Sequence, residues 1–339
     1  MSINLKLICF GLSLLISFTQ SLAQGVDQVN VNKRIVLLVD EIKAIRSFPV
    51  VLAERLGYFR QNGFDVMVLN IRDDVFHDQL LKDGRVDAVM AYYHHNIVNH
   101  SKNNPTQSII SLGVTPGMRV LVANQVREKY KSLKDLKGSR ILTGGDNSSK
   151  TTVANFLMIK AGLELSDYTR LPTYGKEKNL EMLKNGDADL VIAPNPEDDY
   201  YLQKNVASVL FDLTTVDETK KVLGAVLPTN TIFMSTKKLQ EHPEMAQHLA
   251  GAFVKTLKFI QEHSPEEIAE VIPVEISGKD RSAYLKMLKQ QIPMYANNGL
   301  MSKQGADLEY KVFSTFNSKY KNIDTNVTYT NQFVMEALK

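Results

Sequence analysis

From residue 33 onward, short apolar runs alternate with stretches in which apolar residues recur every three or four positions. Ile35 to Val39 is continuously apolar, as a strand covered on both faces must be. Pro49 opens a helix at its tolerated first turn. Val50, Ala53, Leu56 and Gly57 then repeat at helical spacing until Gly63 ends the segment. Phe64 to Ile71 predicts a second strand, Leu80 and Leu81 close a second helix capped by Gly84, and Val86 to Ala91 predicts a third strand. The order βαβαβ argues for an α/β protein with mainly parallel sheets.

That pattern recurs. Leu81-Lys82-Asp83-Gly84-Arg85-Val86-Asp87-Ala88-Val89-Met90-Ala91 returns 102 residues later as Leu183-Lys184-Asn185-Gly186-Asp187-Ala188-Asp189-Leu190-Val191-Ile192-Ala193. In each copy a glycine caps a helix, an aspartate starts a strand, and the strand runs apolar into a core. Two similar α/β lobes are therefore expected. Ile109 to Val114 and Arg119 to Ala123 read as strands around Thr115-Pro116-Gly117, and Ser132 to Lys137 as a short capped helix before the strand Arg140 to Thr143. Ser148 or Ser149 caps a helix from Thr151 to Ala161. Met245, Leu249, Phe253, Leu257 and Ile260 place one long amphipathic helix between Pro243 and His263, with further helices beyond it packed on the first lobe. The expected lobes are residues 33–123 with 229–339, and residues 124–228, with crossings near Val122 and Asn230.

The N-terminus changes the expected compartment. Lys6 is the only charge among the first 26 residues and precedes a run of 12 mostly apolar residues, Leu7 to Phe18. A membrane-spanning helix needs about 20. Ser21-Leu22-Ala23 then offers a small-x-small cleavage site, so residues 1–23 read as a signal peptide and the mature chain as exported. Cys9, the only cysteine, falls inside that segment, which removes a disulfide framework and a thiolate metal site from consideration. Composition is globular, with 44% hydrophobic and 23% charged residues. Lys and Arg total 40 against 37 acidic residues, a net charge of +3 too dispersed for a nucleic-acid partner.

Three segments carry candidate chemistry. Gly144-Gly145-Asp146-Asn147-Ser148-Ser149-Lys150-Thr151 stands between a strand and a helix and nearly matches a phosphate loop, with Ser149 where the second glycine belongs. A helix N-terminus, two hydroxyls and an ammonium suit a small anionic or polar group; equally, Asn147 and Ser148 cap the helix and Lys150 is solvated. Tyr92-Tyr93-His94-His95 follows the third strand at its carboxyl end, where open α/β sheets bind ligands. It reads as a wall for a planar or heteroatom-rich ligand, or as a buried tyrosine pair with solvated histidines. Metal is not expected, because neighbouring histidines point apart and no carboxylate pair lies at ligand spacing. Asn195-Pro196-Glu197-Asp198-Asp199 holds the matching place in the second copy, its acids either accepting from a ligand amine or favouring a solvated helix start. No nucleophile elbow, zincin or complete Walker motif occurs.

Leu52-Ala53-Glu54-Arg55-Leu56-Gly57-Tyr58-Phe59-Arg60-Gln61-Asn62-Gly63-Phe64-Asp65-Val66 resembles the A-x-x-x-G-[FY]-F-x-x-x-G-[LF]-x-V segment of solute-binding proteins, and Leu133-Lys134-Asp135-Leu136-Lys137-Gly138-Ser139-Arg140-Ile141 resembles their S-L-x-D-L-K-G-K-x-I. The resemblance covers about residues 33 to 275. It points to the branch of ABC-importer binding proteins for nitrate, sulfonates, taurine and thiamine pyrimidine precursors. It implies two α/β lobes joined by two crossovers, a periplasmic binding protein type II-like fold with ligand in the cleft. Carried onto this chain, the ligand-binding residues are Ser47, Phe48, Tyr92, Tyr93, His94, Asn147, Ser148, Ser149, Lys150, Thr151, Asn195 and Glu197. Tyr92 to His95 replace the small residues many members have, and no tryptophan is present to stack on a ring.

The expected function is an exported, periplasmic, monomeric binding protein that delivers a small polar or anionic molecule to an ABC permease, without catalysis or cofactor. The alternatives are an enzyme on the same scaffold, since the family resembles proteins that make the thiamine pyrimidine from pyridoxal phosphate and histidine, and a sensory ligand-binding module.

Overall fold

The computed structural model describes residues 33–39, 41–71, 74–145, 148–316 and 318–339, so the expected signal peptide with Lys6 and Cys9 lies outside the described residues. The chain begins with β1 (Lys33–Val39), α1 (Phe48–Arg55), β2 (Phe64–Asn70), α2 (Asp74–Lys82), β3 (Ala88–Tyr92), α3 (His94–Ser101) and β4 (Thr106–Ser111). It continues through β5 (Met118–Ala123), β6 (Arg140–Leu142), α4 (Ser149–Ala161), β7 (Thr169–Leu171), α5 (Lys176–Asn185), β8 (Leu190–Pro194), α6 (Glu197–Gln203), β9 (Ala207–Leu213), α7 (Val216–Leu223) and β10 (Asn230–Ser235). Helices α8 (Thr236–Glu241), α9 (Pro243–Glu262), α10 (Pro265–Val271), α11 (Val274–Ser277), α12 (Arg281–Gln291), α13 (Lys303–Phe316) and α14 (Gln332–Ala337) complete it.

The strands form two five-stranded sheets, ordered β2-β1-β3-β10-β4 and β7-β6-β8-β5-β9. Position by position the two orders are the same, with β6, β7, β8 and β9 standing for β1, β2, β3 and β4. The fourth place in each sheet goes to a strand that arrives from the other half, β10 or β5. Each such strand runs antiparallel to both neighbours, while the three strands beside it are mutually parallel. Each sheet is therefore mixed, with four strands running one way, as expected of a mainly parallel sheet, and the exchanged strand running against them. Met118–Ala123 belongs to the second sheet, so the chain leaves the first over residues 112–117, not near Val122, and returns over 224–229.

The repeated Gly-x-x-Asp has one physical task in both copies. Gly84 and Gly186 end their helices at φ of +68° and +78°, the left-handed region glycine enters at least cost. Three residues on, Asp87 Oδ2 accepts the Val36 backbone N–H at 2.8 Å, and Asp189 Oδ2 accepts that of Arg140 at the same distance. In return the Asp87 and Asp189 N–H groups donate to the Val36 and Arg140 carbonyls at 2.9 Å. Each aspartate thus docks the third parallel strand of its half onto the first. Asp87 also takes Lys238 at 2.8 Å, and Asp189 takes the Arg140 guanidinium through bonds of 3.1 and 2.7 Å.

The two crossings touch. Leu227 N–H donates to the Val114 carbonyl and Thr229 N–H to that of Gly113, both at 3.1 Å, and Leu112 N–H donates to the Asn230 carbonyl at 2.7 Å. A Cβ on Gly113 would stand 2.4 Å from Thr229 Oγ1, so a larger residue here would force the Thr229 side chain to move. The C-terminal helices do not pack on the first half alone. Helix α13 places Val312 in a buried cluster of the second half with Val153 and Leu157, and Ala306 in a first-half cluster with Tyr93 and Ile97. Where it passes the return crossing, a Cβ on Gly305 would lie 2.7 Å from the Val226 carbonyl oxygen.

Burial pushes the Asp189 carboxyl up, but the hydrogen bonds from Arg140 more than reverse this and leave it below its ordinary value. Asp189→Ala should cost about 1–3 kcal/mol at pH 7, the penalty of stranding the Arg140 N–H, discounted toward the lower end because the guanidinium is partly exposed. Urea unfolding checks it. A depressed folded value means the contribution is complete above about pH 4 and fades as pH falls through that lowered value, so the wild-type advantage should narrow only in acid.

Candidate functional site

A cavity of about 260 Å³ lies at the carboxyl ends of the parallel strands of both sheets. Its wall comes from equivalent loops of the two halves: Ala44, Ile45 and Arg46 after β1, Tyr92, His94 and His95 after β3, Ser148 to Lys150 after β6, and Pro194 with Asn195 after β8. Pro116, Gly117 and Met118 of the first crossing close one side, and Met294 another. This is where an open α/β sheet has its crevice. Helices α1, α3, α4 and α6 all begin beside it, which puts the positive ends of their dipoles near its wall.

Tyr92, His94, Ser148, Ser149, Lys150 and Asn195 of the expected residues line the cavity. Ser148 is the cap of α4, accepting the Lys150 N–H at 3.2 Å and donating to the Thr143 carbonyl at 3.0 Å, so its hydroxyl is largely spent on the fold. Lys150 is not solvated. Its ammonium meets Glu197 Oε2 at 2.8 Å, and Glu197 is held from the other side by the Tyr201 hydroxyl at 2.8 Å. An anion at Lys150 must compete with that carboxylate. Asn195, nine-tenths buried and preceding a cis bond to Pro196, finds no hydrogen-bond partner for either amide atom among the described residues.

Other expected residues stand behind the wall. Ser47 is fully buried and donates to the Glu41 carbonyl at 2.7 Å. Phe48 packs in the core with its ring centroid 5.8 Å from that of Tyr295, whose hydroxyl donates to the Ile45 carbonyl and so fixes the turn carrying Arg46. Thr151 bonds Thr143 and the Gly145 carbonyl, bracing the loop from beneath. Tyr93 points away, its hydroxyl against Thr328, and burial raises its pKa. Asn147 lies outside the described residues. Asp198 and Asp199 neither solvate a helix start nor await an amine, since Arg119 reaches them at 2.7 and 3.5 Å and Asp212 at 3.0 Å.

The histidines are not solvated either. His94 is 2% exposed, its ring stacked between His95 and Phe313 at centroid distances of 4.7 and 5.1 Å. His95 faces Asp78, with 3.7 Å between Nδ1 and Oδ1. Burial above all, then the neighbouring His95, holds the His94 pKa well below the usual imidazole range. Sequence reasoning had no means to find Glu309 of α13, whose Oε1 lies 3.7 Å from His94 Nδ1, because 215 residues separate them. Arg46, Pro116, Met118 and Met294 also went unmarked; a conspicuous Thr-Pro-Gly turn was the one available sign. Among the described residues no three His, Cys, Asp or Glu side chains are grouped to hold a metal ion, and no helix is long and apolar enough to cross a membrane.

If Lys150 and Glu197 act as a unit, Lys150→Met and Glu197→Gln should couple. A double-mutant cycle by urea unfolding is expected to give about 1 kcal/mol, the upper range for a partly exposed pair. Strictly additive effects would dissolve the pair.

The family model described as NMT1/THI5 like matches residues 45–268. The 4-amino-5-hydroxymethyl-2-methylpyrimidine phosphate synthase THI11 of Saccharomyces cerevisiae is 29% identical over 91 residues, 26% of this chain and 27% of the yeast protein. The match thus spans about a quarter of that relative. Among solved structures, a protein from Bordetella bronchiseptica RB50 aligns with TM-score 0.74 and 23% identity, over 90% of this chain and 96% of the other. The periplasmic aliphatic sulphonate binding protein SsuA from Escherichia coli aligns at 0.65 and 16%, over 87% and 91%. The periplasmic nitrate-binding protein NrtA from Synechocystis PCC 6803 aligns at 0.62 and 12%, over 91% and 88%. The architecture is that of the periplasmic binding proteins.

Proposed function

We propose that this chain, which belongs to the NMT1/THI5-like family, is an exported monomeric solute-binding protein that hands a small polar molecule to an ABC permease. One observation carries the reading: the cavity is walled by matching loops of both halves, and within that wall both amide atoms of Asn195 are without a hydrogen-bond partner among the described residues. A buried amide without a partner costs folding free energy, so a ligand that uses it gains what the fold forgoes. The solved relatives named for sulphonate and nitrate binding support the class, as do four helix starts around the cavity. Its volume is at the small end for a ligand site, which suits nitrate, a short sulfonate or a single aminopyrimidine ring. Ligand would be enclosed by movement of the halves about the two crossings.

A second reading, synthesis of a thiamine pyrimidine, draws on the yeast synthases and on the adjacent imidazoles of His94 and His95. Incubation with pyridoxal phosphate and product analysis for an aminopyrimidine phosphate separates the two.

The test of binding is a thermal-shift panel of nitrate, short sulfonates and aminopyrimidines, alongside mass spectrometry of small molecules carried by the natively purified protein. A true ligand at a hundredfold excess over Kd should stabilise by about 2.7 kcal/mol. Asn195→Ala should weaken its binding about tenfold, about 1.4 kcal/mol, without lowering the unliganded melting temperature. A copurified ligand whose affinity ignores Asn195 would overturn this site.

A further inference from the structure

We propose that the Lys150 side chain is a built-in plug, an aminobutyl arm seated on Glu197, that limits the length of the solute the cavity accepts and keeps out solutes with an aminoalkyl tail. This deepens the solute-binding reading and rests on it.

Two hollows meet at this arm. Beside the ligand cavity lies a second recess of about 290 Å³, lined by Lys150, Thr173, Gly175, Lys176, Asn179 and Glu197. Among the described residues, Lys150 is the one that lines both. Its ammonium donates to Glu197 Oε2 at 2.8 Å, and the two side chains are only 18% and 21% exposed. The arm therefore runs from the wall of the first hollow to a carboxylate of the second. It starts from a fixed point, since the Lys150 N–H is held by the Ser148 cap of α4.

The socket is built without the arm. Glu197 Oε1 accepts the hydroxyl of the fully buried Tyr201 at 2.8 Å, and that hydroxyl accepts from Asn179 Nδ2 at 3.3 Å. Asn179 Oδ1 takes the Tyr174 N–H at 3.0 Å, which ties this chain of bonds to the loop before α5. One carboxylate oxygen is thus committed to the fold and the other is presented to Lys150. The second ammonium of the recess, on Lys176, lies 4.9 Å from the centroid of the Tyr200 ring and 3.9 Å from Glu177 Oε1, so Glu197 is left to Lys150.

Selection by length follows. A solute that fits the first cavity leaves the arm in place. A longer one has to lift the ammonium from Glu197, and a largely desolvated carboxylate that loses its partner is costly. One chemistry replaces what is lost: a tail that ends in its own ammonium and takes Oε2 as Lys150 does. In the wild type the tethered arm wins, because the fold rather than the bulk solution sets its effective concentration at Glu197. With the arm cut back to alanine, the two hollows join and end on a carboxylate oxygen ready for such a tail.

The experiment has two arms on the full folded protein. It compares wild type with Lys150→Ala, with Lys150→Met, which keeps the bulk of the arm without its charge, and with Lys150→Ala combined with Glu197→Gln. In the first arm, n-butylammonium chloride is set against sodium chloride at equal ionic strength. It should raise the melting temperature of Lys150→Ala and leave the other three proteins unchanged. No rise in Lys150→Ala, or an equal rise in Lys150→Met, overturns the proposal. In the second arm, calorimetry compares methanesulfonate with the ω-amino derivatives of propane-, butane- and pentanesulfonate. Lys150→Ala should shift preference toward an amino-tailed member about tenfold relative to wild type, the worth of a hydrogen bond to a charged group, and the double variant should lose that shift. An unchanged preference in Lys150→Ala also overturns it. If no sulfonate binds any of the four proteins while n-butylammonium acts as expected, the plug and its socket stand and the solute-binding reading is what fails.

Discussion

Both sheets depend on the short backbone ladder between residues 112–114 and 227–230. Each crossing has to enter the other half's sheet at its fourth place, and there its N–H and C=O groups are buried and must be paired. The ladder satisfies them before the strands diverge, and glycine at 113 leaves room for the Thr229 hydroxyl beside it. Everything at the cavity is referenced to this pair: Pro116 to Met118 continue out of one crossing as cavity wall, and α13 packs against the other. A shift in the ladder would displace both walls together.

Several charges at and beside the site are paired close to home. Lys150 is answered by Glu197, Arg119 by three aspartates, and the His94–Glu309 pair is uncharged near neutrality. Burial there enlarges the penalty for any donor or acceptor left mismatched.

Much of the architecture was legible because its signals are local. Gly84 and Asp87, with Gly186 and Asp189, act within a helix end and the strand it feeds, so their spacing carried the repeat directly. Strand membership was not local. Arg119 to Ala123 follows Ile109 to Val114 through a Pro-Gly turn and reads as part of the same lobe, yet its pairing partners, β8 and β9, lie far along the chain. At the site, the loops after β3 and β8 could be named, but which neighbours face inward could not. Where β3 passes into α3, Tyr92 and His94 meet the cavity while Tyr93 between them turns into a satellite core. Serines and threonines behaved similarly: Ser149 lines the wall, whereas Ser47 and Thr151 spend their hydroxyls on the loops.

The exchange of strands also orders the protein's birth. The second sheet is complete once residue 213 has emerged, because β5 to β9 form one uninterrupted stretch. The first sheet is not, since β4 joins it through β10 and must wait for residues 230–235 to be made. Chains grow at about 5–20 residues per second and fold domain by domain as they do. The half whose coding begins first is thus the half that closes last, and for several seconds β3 and β4 stand as open edges on either side of a gap that only the returning strand can fill.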